Sequence, residues 1–424
     1  MQRMNGVPAL KVPQRFAQTY RKHLEAQGVW EPRFLVQKNS DGTVALPILP
    51  ACLPELDLLS LPLTVAPGST CSLVYIQEPT PSKKERVTSS SNKLVEALQD
   101  LLASHGETWS EDLREDIPHS WQHHGDLILL GEGCFSQHIW KSMGKELWQA
   151  VAHGLGAKRL AQMGRISSDG FRTPVVTMLL GEDSLVTHVD NRIRYEFDVT
   201  KCMFSCGNIT EKLRIASFDC SGETVVDLYA GIGYFTLPYL VHAGAAHVHA
   251  CEWNPHAVKA LKRNLELNRV SERCTVHEGD NRQLPLHDLA DRVNLGLIPS
   301  SEDGWPVACR VLKQGTGGVL HIHQNVTSPT NPTEPEGGSV PLTTGTSCPA
   351  QGQGTGVRVG SSQKSSAERG AWKEWAEDTA SRIASLLHDV LGKPWRTSIQ
   401  HIEHVKSYAP HIHHLVLDLE CRPC

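Results

Sequence analysis

The stretch Asp227-Leu-Tyr-Ala-Gly231-Ile-Gly233-Tyr-Phe235 decides the fold of this 424-residue chain. It follows a short apolar run, Thr224-Val-Val-Asp-Leu228, and opens a helical stretch, Tyr234 to Ala243. A strand that turns into a helix over two glycines lets the backbone approach a ligand closely and aims free amides at it. A second apparent strand, His247-Val-His-Ala-Cys-Glu252, ends on an acid 19 residues after Gly233. At the edge of a doubly wound sheet such an acid accepts both hydroxyls of a ribose. Asn254-Pro255 then reads as a cap and first helical position, with Val258, Leu261 and Leu265 along one face of the next helix. A third run, Thr275-Val-His-Glu-Gly-Asp280-Asn281, ends on an acid–amide pair. This βαβ rhythm predicts a parallel sheet with helices on both faces.

The ligand class follows from what the loop lacks. A dinucleotide fingerprint needs a third small residue where this chain has Thr236, and it does not include Asp227. The three elements together resemble the class I methyltransferase fold, whose nucleoside is S-adenosylmethionine. That resemblance implies that Gly231 lines the cofactor, Glu252 holds its ribose, and Asp280 and Asn281 address its adenine. Amino-group methyltransferases of this fold carry Asn/Asp-Pro-Pro and an aromatic after the fourth strand. The corresponding run here, Asn294-Leu-Gly-Leu-Ile-Pro-Ser300-Ser301, has the asparagine but no aromatic ring. Methylation of an adenine or cytosine amino group is therefore disfavoured.

Outward from this core, composition divides the chain into three. Hydrophobic residues make up 40% and charged residues 21%, a globular profile. Residues 1–90 form an N-terminal module closed by a linker-like polar run, Lys83 to Asn92. Residues 91–215 read as an α+β domain: Leu94, Leu98 and Leu101 mark a helix with Asn92 as its N-cap, and strands are expected at 126–130, 174–180 and 184–189. Residues 216–424 carry the nucleoside-binding α/β domain. Within it, 325–370 is rich in Ser, Thr, Pro, Gly and Gln and is expected to be a disordered insertion. An amphipathic helix from Trp372 to Leu391 and an antiparallel hairpin of strands at 396–403 and 412–420 are expected to close the sheet.

No signal segment or apolar run long enough to span a bilayer is read, and twelve scattered cysteines suggest reduced thiols, so a cytoplasmic setting is expected. A metal site is not expected. Cys421 and Cys424 form the single Cys-x-x-Cys, and the pairs His321/His323 and His411/His413 read as one solvent-facing side of a sheet. The net charge of −5 leaves any nucleic-acid contact to local patches. Candidates are Lys11, Arg15, Arg21 and Lys22 near the N-terminus, and Lys141, Lys145, Lys158, Arg159, Arg165 and Arg172 in the middle domain.

One further segment narrows the function. Arg194-Tyr-Glu-Phe-Asp198-Val-Thr-Lys201-Cys-Met-Phe204-Ser205-Cys-Gly207-Asn208-Ile-Thr-Glu211-Lys212-Leu-Arg214 and the late run Val405-Lys406-Ser407-Tyr408-Ala409-Pro410 are similar to the tRNA wybutosine-synthesizing protein 2 family. That family is related to the tRNA guanine-37 N1-methyltransferases, which usually have a Tyr-Trp-Asn type run near this chain's Met203-Phe204-Ser205. The resemblance covers about residues 125–324 and 372–422. It implies that the 3-amino-3-carboxypropyl group of S-adenosylmethionine passes to the tricyclic base at position 37 of phenylalanine tRNA, releasing methylthioadenosine. The sulfonium has three electrophilic carbons, and the pocket selects one by orientation. Ser205 and Lys212 are carried over as further cofactor contacts, Lys212 as a partner for the cofactor carboxylate. A sulfonium is a good leaving group, so no catalytic base is named. Two rival readings are guanine-37 N1-methylation on the same fold and a non-catalytic tRNA-binding protein.

Overall fold

A computed structural model describes residues 6–58, 60–167, 170–204, 206–328 and 366–424. The chain separates into two compact units, residues 1–110 with 149–156, and residues 111–148 with 157–424.

In the first unit, strands β1 (Val7–Pro13), β2 (Gln37–Lys38), β3 (Thr43–Pro47) and β4 (Ser72–Ile76) form an antiparallel sheet in the order β2-β3-β1-β4. Leu10, Val12, Val44 and Leu46 meet Tyr20 and Leu24 of the helix Ala17–Ala26 in its core. The polar run 83–92 is not a linker. It begins the helix Lys83–Ser104, and the N-cap is Ser82, not Asn92. Ser82 Oγ accepts the N–H of Glu85 at 3.3 Å, and Leu94, Leu98 and Leu102 are fully buried further along. Ser-x-x-Glu supplies a capping signature, so helix initiation there overrides the polar composition.

The second unit holds three sheets. β5 (Trp121–His124), β6 (Leu127–Leu130), β7 (Arg159–Ile166) and β8 (Pro174–Leu180) run in sequence order, with β6 and β7 parallel. β9 (Leu185–Asp190) and β10 (Ile193–Asp198) form an antiparallel pair. The main sheet contains β11 (Thr224–Asp227), β12 (His247–Glu252), β13 (Cys274–Glu278), β14 (Arg292–Leu295), β15 (Gly318–Thr327), β16 (Trp395–Ala409) and β17 (Ile412–Pro423). Its order is β13-β12-β11-β14-β15-β17-β16; the first five strands are parallel, and β17 runs antiparallel to both neighbours. This is the expected α/β, class I methyltransferase (Rossmann-like) arrangement with an antiparallel C-terminal hairpin.

Both faces of that sheet are covered. Val225, Val248 and Ala250 face one apolar cluster, and Val226, Cys251 and Val293 face another. Double cover explains a correction: His321 and His323 share a face, but they are 1% and 0% exposed. Alternation implies a wet side only when one face of a sheet is bare. His321 Nδ1 donates to Asp418 at 2.6 Å, and His323 Nδ1 lies 3.1 Å from Nε2 of His414. His413 is likewise buried, whereas His411 sits in the turn before β17 at φ +65°. Asp418 also pairs with Arg214, at 2.5 Å, from the helix Ile209–Ile215. Burial alone would raise the Asp418 carboxyl, but His321 and Arg214 hold it well below the usual range.

The low-complexity stretch is narrower than 325–370. β15 runs to Thr327, and the following helix begins at Ser366 rather than Trp372. Residues 329–365, where the sequence predicts disorder, lie outside the described residues.

Candidate active site

The site is built where β11, β12 and β13 end side by side. Gly231 and Gly233 adopt φ +56° and +104°, a region that glycine enters without strain. A β-carbon on Gly231 would collide with the ring of Tyr234, and one on Gly233 would lie 3.0 Å from Leu237. The loop is held from beneath by Asp227, which is wholly buried. Thr236 Oγ1 donates to Asp227 at 2.7 Å and Asn294 Nδ2 at 3.0 Å, while burial pushes the carboxyl up. The role of Asn294 is therefore to tie β14 to β11, and its Oδ1 is buried without a partner among the described residues.

Glu252 stands at the end of β12. Its Oε2 accepts the N–H of Gly231 at 2.8 Å, and its Oε1 accepts those of Trp253 and Asn254 at 2.9 and 2.8 Å. Burial raises this carboxyl and the three amides oppose the shift. Beside it, Asp280 caps the turn Asn281–Gln283 and forms a bidentate pair with Arg282, which holds its carboxyl below the ordinary value. Asn281 Nδ2 donates to Leu228 O at 2.7 Å, tying the end of β13 to the start of the glycine loop. Gly231, Glu252, Asp280 and Asn281 thus converge on one edge of the sheet.

Lys212 is 2% exposed and is no solvated helix-face charge. Its Nζ donates to Asp190 at 3.0 Å and stands 4.6, 5.2 and 5.9 Å from the ring centres of Phe204, Tyr195 and Tyr234. Tyr234 follows Gly233, so the ammonium lies next to the glycine loop. Ser205 lies outside the described residues. Its neighbour Phe204 stacks on Phe197 at 5.1 Å. At Gly207, a β-carbon would stand 2.5 Å from Lys406 Nζ, which places the late 405–410 run against this segment.

Sequence reasoning did not find Asp190, Tyr234 or Trp253. Their contacts come from tertiary pairing, and the only positional hints are that Tyr234 follows Gly233 and Trp253 follows Glu252. Among the basic candidates, Arg159 is committed to the fold: it binds Asp126 and the carbonyls of Asp183 and Leu185. No group of three His, Cys, Asp or Glu able to hold a metal occurs among the described residues. The glycine cradle, the acid beside it and the partly paired carboxylates fit a nucleoside bearing a ribose and a cation.

Known proteins resemble this chain in sequence and in fold. A family model described as the TRM5/TYW2 methyltransferase domain matches residues 186–335, and two models described as TYW2 N-terminal domains match 9–85 and 98–184. The chain is 63% identical over 420 residues to a tRNA wybutosine-synthesizing protein 2 homolog of Danio rerio, covering 99% of this chain and 100% of that one. It is 53% identical over 437 residues to the Homo sapiens homolog, covering 100% and 97%. The fold resembles a crystal structure of TYW2 from P. horikoshii in complex with MeSAdo, with TM-score 0.55, 24% identity and coverage of 78% and 99%. It also resembles Trm5b of Pyrococcus abyssi, with TM-score 0.54, 20% identity and coverage of 98% and 99%.

Proposed function

The chain belongs to the tRNA wybutosine-synthesizing protein 2 family, and from that premise we propose how its site works on tRNA. It is a transferase that uses S-adenosylmethionine in wybutosine synthesis. The reaction passes the 3-amino-3-carboxypropyl group to the tricyclic base at position 37 of phenylalanine tRNA and releases methylthioadenosine. The observation that carries this reading is the convergence of Gly231, Glu252, Asp280 and Asn281 beside the buried ammonium of Lys212.

When bound, the sulfonium supplies a carbon electrophile with a good leaving group. The residues of the chain then have to bind and orient. Gly231 gives close backbone approach, Glu252 holds the ribose, and Asp280 and Asn281 address the adenine. Lys212 and Ser205 are the contacts proposed for the methionine tail. Lys212 suits this role because Asp190 and three aromatic rings fix its ammonium beside the loop. No proton-transfer residue is assigned.

The N-terminal module, residues 1–90, is proposed to dock tRNA, the middle domain, 91–215, to help present it, and residues 216–424 to catalyse transfer. No described helix is long and apolar enough to cross a membrane, and the proposed setting is the cytoplasm. The test is the by-product formed from S-adenosylmethionine and tRNA lacking the last wybutosine steps. Methylthioadenosine with mass added at nucleotide 37 is expected. S-adenosylhomocysteine instead would overturn aminocarboxypropyl transfer in favour of guanine-37 methylation.

A further inference from the structure

The hairpin joining β7 and β8 reaches the parallel sheet. At its tip, Phe171 stands edge-on to Trp253, with ring centres 5.9 Å apart and planes at 80°. The next residue, Arg172, donates from Nη1 to the carbonyl oxygen of Ile298 at 2.5 Å. Trp253 follows Glu252 at the end of β12, and Ile298 lies in the loop after β14. β12 and β14 are the two strands bordering β11. The tip therefore spans the end of the strand that carries Asp227 and the glycine loop.

Both rings are open to solvent, Phe171 at 44% and Trp253 at 48%. They are the only exposed Phe or Trp side chains among the described residues. Unpaired RNA bases are held by stacking on aromatic faces, with cations nearby for the backbone. Two cations lie in the adjoining segments: Arg165 near the end of β7 is exposed, and Lys201, half-exposed and 3.5 Å from Asp198, has its backbone carbonyl 3.5 Å from the Asn254 side chain. The loop after β14, residues 296–301, has no aromatic of its own.

We propose that Phe171 and Trp253 form a stacking platform for an unpaired base of the tRNA anticodon loop, the hairpin tip supplying the ring that the loop after β14 lacks. The occupant rests on the tRNA reading above, and the reaction outcome does not enter the test.

The experiment measures tRNA affinity by filter binding at fixed salt, alongside S-adenosylmethionine affinity by calorimetry, for Phe171→Ala, Phe171→Tyr and Trp253→Ala. Phe171→Ala is expected to weaken tRNA binding roughly tenfold while leaving cofactor affinity unchanged, and Phe171→Tyr to restore it. Trp253→Ala should follow Phe171→Ala. Unchanged tRNA affinity in Phe171→Ala overturns the platform. So does a Trp253→Ala variant whose loss falls on the cofactor and not on tRNA, because that ring then belongs to the nucleoside pocket. Both side chains are exposed, so a melting curve matching the parent establishes that the variants fold. Detection of S-adenosylhomocysteine would end the transfer reading without touching this one.

Discussion

The backbone N–H of Gly231 donates to Oε2 of Glu252 at 2.8 Å, so the glycine loop and the acid of the neighbouring strand form one assembly. With Trp253 and Asn254, three amides depend on this carboxylate. Glu252→Ala is expected to lower thermal stability and also to weaken S-adenosylmethionine binding by about 1.5–3 kcal/mol. Glu252→Gln keeps one carbonyl acceptor and should be milder on stability. Calorimetric titration of both variants is the check: an unaltered dissociation constant in the alanine variant removes the ribose role.

Gly231→Ala combines two costs. The residue sits at φ +56°, and the added methyl meets the ring of Tyr234. The backbone term alone is about 1–2 kcal/mol. A lower melting temperature and loss of cofactor affinity are expected together, whereas an alanine variant that binds normally would show that the loop has room to spare.

Lys212 and Asp190 are a paired charge with side chains 3% and 15% exposed. Truncating one member of such a pair strands the other, so Lys212→Ala is expected to cost about 3–5 kcal/mol of stability, measured by denaturant unfolding. Lys212→Met combined with Asp190→Asn retains the length of the stem, strands no buried carboxylate and isolates the ligand question. Its affinity for S-adenosylmethionine is expected to fall roughly tenfold while methylthioadenosine, which lacks the carboxylate, binds as before. Equal affinity changes for the two ligands would limit Lys212 to holding Asp190.

Acid should loosen the sheet through His323 and His414. Burial keeps both imidazoles neutral in the fold, His323 well below its ordinary value and His414, helped by Lys406 and His404, down to about 3. The unfolded chain takes up these protons near pH 6.5, so each buried ring lowers stability by about 1.4 kcal/mol per unit as pH drops from there. For His414 the loss continues towards about pH 3. His414→Gln should flatten the pH dependence of denaturant unfolding by about one proton. A parallel curve for the variant would exclude His414 as a source.

Local sequence was a good guide wherever a neighbour along the chain sets the structure. The glycine loop, the acid at 252 and the Asn254-Pro255 helix start are local devices, and each lies where its residues place it. The run 83–92 misled because its serines and lysines suggest a linker, while Ser82 and Glu85 carry the opposite signal. The histidine pairs misled because the alternation rule needs to know how many faces are covered. Lys212 needed Asp190, 22 residues earlier, brought to it by the β9–β10 hairpin. Phe171 and Trp253 are 82 positions apart, and nothing in either stretch announces the other.

Arg214 and Asp418 are separated by 204 residues, yet their side chains join at 2.5 Å. The helix that carries Lys212 is therefore clasped by a strand from far along the chain. Without β17 this guanidinium keeps, among the described residues, only the Glu211 carboxylate of its own helix, and β15 has no neighbour on its outer edge. Domains with such distant pairings gather late in folding. The seat of the Lys212 helix beside the glycine loop thus belongs to two distant stretches of chain at once, and a cut between them would loosen it without touching either.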